Sequence, residues 1–157
     1  MANNKMDIET TKTLRFEIET AKNTLSNIML VIERQAIPIA KELYKENFEP
    51  SQKLNKSFET LLSTAENQHD RLSKLMILLD NKPKTKEITK LLDKTKSKGQ
   101  KFLESLQITT KTLGKYILLT KTKPNTTGLH ASCKTCEDIL SDLIHKLQND
   151  MDSIINT

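Results

Sequence analysis

Residues 54–79 read LNKSFETLLSTAENQHDRLSKLMILL. Within them Leu54, Phe58, Leu61, Ala65, His69, Leu72, Leu75 and Leu79 recur at steps of three and four. That step places all eight on one stripe of an α-helix, and such a stripe must be buried against others like it. Three further stretches carry the same period. Leu14, Ile18, Ala21, Leu25, Ile28 and Ile32 precede it. Ile88, Leu92, Thr95, Gly99, Phe102, Leu106, Thr109, Leu113 and Tyr116 follow, and then Cys133, Cys136, Leu140, Leu143, Leu147 and Ile154. The fold class is therefore all-α: an up-down-up-down antiparallel bundle of four long helices, because short connections set sequential helices antiparallel.

Composition agrees. Leu and Ile supply nearly all the apolar bulk, with 22 and 14 copies against a single Val and no Trp. A β-rich chain would want β-branched and aromatic residues and frequent turns, yet only three Gly and four Pro are present. At 157 residues the chain reads as a single helical-bundle domain, long enough to bury a core without staples. The expected helices span about residues 7–47, 51–80, 84–120 and 129–155, after a polar, flexible 1–6. Pro38 removes a ladder donor and crowds the carbonyl four residues back, so the first helix is kinked or broken there. Pro50 and Asn81-Lys-Pro83 mark the next corners, and residues 121–128 form the clearest loop. A helix-interior glycine costs about 1 kcal/mol relative to Ala. Gly99 lies on the buried stripe, which predicts a close helix approach there, with a break into two helices as the alternative.

Several classes of function find no support. The chain has no Gly-rich phosphate loop and no strained nucleophile elbow. Its three His leave few candidates for acid–base work near neutral pH. It reads as a non-enzyme needing no cofactor. No apolar run approaches the roughly 18–20 residues of a membrane span, and the polar start lacks a signal-peptide core. A cytoplasmic location is expected, although an exported effector or a mature secreted chain would carry the same composition.

Three features carry chemistry. Between Lys82 and Lys123 stand twelve Lys against Glu87, Asp93 and Glu104, so the whole basic excess sits on the third long helix and its flanks. Lys86, Lys90, Lys94, Lys98 and Lys101 form a ribbon that Lys111 and Lys115 continue. Such a ribbon could track nucleic-acid phosphates, anionic lipid headgroups or an acidic partner. It could also be a solvated face in a chain whose 22 Lys and three Arg suggest an AT-rich genome. The helix holds no Arg for bidentate base contacts. A second feature is His130, Cys133 and Cys136, near the start of the last helix. These are a remote candidate for a metal or thiol site, set against two cysteines acting as small core residues. A still weaker pattern is Glu66 with His69 and Asp142 with His145, which with Glu33 and Glu104 would make a di-metal bundle site.

A fourth feature is apolar. Leu75, Met76, Ile77, Leu78 and Leu79, and Tyr116, Ile117, Leu118 and Leu119, are apolar all round their helices. One bundle face cannot bury five consecutive apolar residues, so these runs are either wrapped by loops or meet a partner. Thr95 and Thr109 also leave the third helix thinly apolar in its middle, as a bundle accepting a guest helix would be. The leading expectation is a protein acting by protein–protein interaction, of adaptor, regulatory or effector type. Its partner would be another protein or a second copy of itself. Nucleic-acid or anionic-surface binding through the lysine ribbon is the alternative.

Overall fold

The computed structural model describes residues 7–48, 51–81, 85–123 and 127–155. The polar residues 1–6, Pro50, residues 82–84 of the second corner and residues 124–126 of the loop lie outside the described residues. Every regular element among the described residues is helical. The order is α1 (Ile8–Val31), a wide π turn (Ile32–Ala36), α2 (Ile37–Lys45), α3 (Ser51–Asp80), α4 (Thr85–Lys121) and α5 (Thr127–Ile155). The chain is all-α, and no helix is long and apolar enough to cross a membrane among the described residues.

The ends of these helices follow from local chemistry. Asp7 caps α1: its carboxylate accepts from the Thr10 amide at 2.8 Å, satisfying one of the orphan donors of a helix start. That bond, followed by one from the Thr10 hydroxyl, holds the Asp7 carboxyl below its usual pKa. Before Pro38 the ladder widens, and the Ile37 N–H bonds the Ile32 carbonyl five residues back. A wider turn is one way to accommodate a proline that offers no N–H and crowds the Arg34 carbonyl. α2 ends in a Schellman motif. Phe48 N–H bonds Leu43 O, Asn47 N–H bonds Tyr44 O, both at 3.0 Å, and Asn47 sits at φ 63°. Phe48 is thereby turned into the core, edge-on to Tyr116 with ring centroids 6.4 Å apart.

α1 packs against α3 and α5, and α4 against the same two, with α2 extending the contact to α3 and α5. The four apolar series meet inside. Every position in them is buried except His69, Leu92 and Leu143, which are half-buried. Beside His69 it is Gln68 that turns inward. Its Nε2 donates to the Thr95 carbonyl of α4 at 2.8 Å, and its Oε1 accepts from both Arg71 Nε and Nη2. A Cβ at Gly99 would stand 2.5 Å from Met151 Cε and 2.7 Å from Gln68 Nε2, so the close approach expected of Gly99 is present. Two threonines of α4 border openings: Thr95 lines a cavity of about 100 Å³ with Gly99 and Met151, and Thr109 lines a shallow groove against α3. The hydroxyls of Thr95, Thr109, Thr110 and Thr120 each donate to the carbonyl four residues back, which satisfies them within their own helix. On the other side, buried Thr24 of α1 donates to Asp150 and accepts from Lys146 of α5.

Candidate functional site

α4 is 37 residues long, about 55 Å at 1.5 Å per residue. Its buried stripe occupies one side. Lys86, Lys90, Lys94, Lys98, Lys101, Lys111 and Lys115 all project to solvent on the other. Successive residues turn by about 100°, which gathers these seven within about 140° of the helix surface. None of them makes an ion pair among the described residues. Glu87 and Glu104 lie within the same sector and Asp93 at its rim, so the seven lysines share it with three acids.

The tertiary structure widens this ribbon into a face. A shallow groove between α3 and α4 is lined by Lys53, Lys56 and Thr60 from α3 and by Ser105, Ile108 and Thr109 from α4. Further along, Arg71 reaches toward α4 through its two bonds to Gln68. Partial burial lowers the Arg71 pKa, opposed by neighbouring Asp70. By helical register the acids of α3, Glu59, Glu66, Asp70 and Asp80, lie on the flank away from α4. Asp80 there pairs with Arg15 of α1. Sequence reasoning missed the α3 contribution. Its signal was available in the segregation of bases from acids around one helix, which the net charge of residues 1–81 conceals.

The apolar runs divide. Leu75, Leu79 and Tyr116 are buried in the core, and Met76, Leu78 and Ile117 are half-buried against it. Only Ile77, Leu118 and Leu119 stand out to solvent, at 58%, 71% and 48% exposure. They do not form one surface. Ile77 lies at the end where α3 hands over to α4, and Leu118 and Leu119 lie at the other end of α4.

His130, Cys133 and Cys136 also separate by role. His130 Nδ1 donates to the Ile117 carbonyl at 2.8 Å, with Thr120 Oγ1 at 3.2 Å, tying the start of α5 to the last turns of α4. Because α5 begins at Thr127, both thiols lie past its first turn, where a helix N-terminus no longer favours a thiolate. Both are free and buried. Burial raises the Cys133 pKa to about 11 and that of Cys136, beside it, to about 12. The weaker di-metal pattern does not converge. Glu66, Asp142, His145, Glu33 and Glu104 are exposed and His69 is half-buried. No group of three or more His, Cys, Asp or Glu is arranged to hold a metal ion among the described residues.

The chain matches no protein-family model, no curated protein and no solved structure.

Proposed function

We propose that this chain is a non-enzymatic binding protein whose working surface is the basic face of α3 and α4, and that it holds phosphate-bearing surfaces. The scaffold is an up-down-up-down bundle in which α1 and α2 form one rod kinked at the wide turn before Pro38. Supporting that topology, Arg15 near the start of α1 meets Asp80 at the end of α3. Likewise Thr120 meets His130 across one end of the α4–α5 pair, while Gly99 meets Met151 farther along it. The observation that carries the functional reading is the union of seven α4 lysines with Lys53, Lys56 and Arg71 on one side of the rod. Polyanions are drawn to such a field by direct attraction and by counterion release. Two buried cysteines kept as thiols fit a reducing, cytoplasmic setting.

The test is retention on a column of immobilised phosphate polymer, eluted by salt. The wild-type chain should be retained at low salt and should elute as salt rises. Reversing Lys90, Lys94 and Lys101 to Glu should abolish retention with the helical circular dichroism spectrum unchanged, since all three are exposed. Retention that survives the triple reversal sinks the proposal.

A second reading, binding of a protein partner through apolar helix ends, is favoured by the exposure of Leu118 and Leu119, with half-exposed Tyr44 at the same end of the bundle. Crosslinking that is lost in Leu118→Ser/Leu119→Ser would support it. A sharp monomer that captures nothing would remove it.

A further inference from the structure

We propose that the phosphate-bearing surface is an anionic lipid bilayer, with α4 lying along its interface. The proposal rests on the basic-face reading above and adds the partner. Its warrant is the presence of aliphatic side chains inside the lysine field. Ile108 is 66% exposed and Leu119 is 48% exposed. Eleven residues apart, they stand within about 20° of each other around α4. Lys111 follows Ile108 by three residues, and Leu119 follows Lys115 by four. Ile108 also projects into the groove beside Lys53 and Lys56, so it has bases on two helices, with Glu104 one turn back on α4. Exposed aliphatic residues flanked by long cationic ones describe a helix lying in the headgroup region. There the aliphatic tips enter the acyl boundary and the lysine stems reach back to anionic headgroups.

The other polyanion fits less well. Nucleic-acid strands reward aromatic platforms and arginine forks. The aromatics of α3 and α4, Phe58, Phe102 and Tyr116, are buried in the core, and α4 carries no arginine. A phosphate backbone makes no use of Ile108 or Leu119.

The experiment is co-sedimentation of the full chain with two kinds of vesicle, phosphatidylcholine alone and phosphatidylcholine mixed with phosphatidylserine. Anisotropy of a labelled DNA duplex at matched salt runs in parallel. The chain should sediment with the phosphatidylserine vesicles and not with the neutral ones. Ile108→Ser/Leu119→Ser, both at exposed positions, should weaken vesicle binding about tenfold or more, the scale of partly inserting two aliphatic side chains, and leave retention on the phosphate polymer unchanged. Each lysine removed from the face should cost about fivefold. If the chain is retained on the polymer but ignores the anionic vesicles, or if the serine variant binds them equally, the lipid proposal fails while the basic-face reading stands. Duplex binding that exceeds vesicle binding assigns the face to nucleic acid and overturns the proposal. Failure of polymer and vesicles alike takes both readings down.

Discussion

Gly99 of α4 sits against side chains of both α3 and α5, and replacing it with Ala should give an effect whose sign depends on Gln68. Removing a glycine from a helix interior gains about 1 kcal/mol of propensity. Against that, the new Cβ would stand 2.5 Å from Met151 Cε and 2.7 Å from Gln68 Nε2. The two obstacles differ in how easily they move. Met151 ends in a flexible thioether and borders a cavity of about 100 Å³ lined by Leu25, Leu72, Leu92 and Phe102 among others, so it can swing aside. Gln68 is held by the Thr95 carbonyl and by Arg71. Displacing it leaves a buried amide unsatisfied at a cost of about 1–3 kcal/mol. Gly99→Ala should therefore destabilise the bundle by about 1 kcal/mol net, lowering Tm by about 2–4 °C for a domain of this size. In a Gln68→Leu background, where the shorter side chain clears the new methyl, the same change should stabilise by about 0.5–1 kcal/mol. Urea unfolding of the four proteins, followed by far-ultraviolet circular dichroism, measures the cycle. Equal destabilisation in both backgrounds would show that Gln68 is not the obstacle and would refute the reasoning.

Two further outcomes follow from the structure. Cys133 and Cys136 should resist thiol reagents in the native protein at neutral pH and react on unfolding. Their folded pKa values lie at about 11 and about 12 against 9.0 for the free thiol. Between those values the folded state holds more protons than the unfolded one, so this contribution to stability is full below pH 9 and declines as pH rises toward 11–12; unfolding titrations across that range measure it. At Asn47, φ 63° suits Gly and tolerates Asn, so Asn47→Ala should cost about 1–2 kcal/mol. Asn47→Gly should be neutral or stabilising, as read from paired thermal melts.

Much of the core was legible in the chain. Leu14, Phe58, Phe102 and Leu140 announce it by period, because helical geometry makes every third or fourth residue share a side and water expels the apolar ones whatever lies opposite. The two cysteines read as core by the same rule, and their buried, raised-pKa thiols agree with it. What the period cannot say is which polar residues a partner helix will accept. His69 continued the stripe by spacing, yet Gln68 was drawn in, where its amide donates to the Thr95 carbonyl and accepts from Arg71.

The sequence by itself determined four helical segments, their inward stripes and the lysine ribbon of α4, all of which depend on residues no more than a few turns apart. Tertiary structure alone decided which exposed residues share a surface. It joined Lys53, Lys56 and Arg71 to the α4 ribbon and set Ile108 among the bases. It parted Ile77 from Leu118 and Leu119. The reason is physical: a side chain's position around its own helix is set by local turn geometry, whereas its neighbours across a groove are set by how whole helices register against one another.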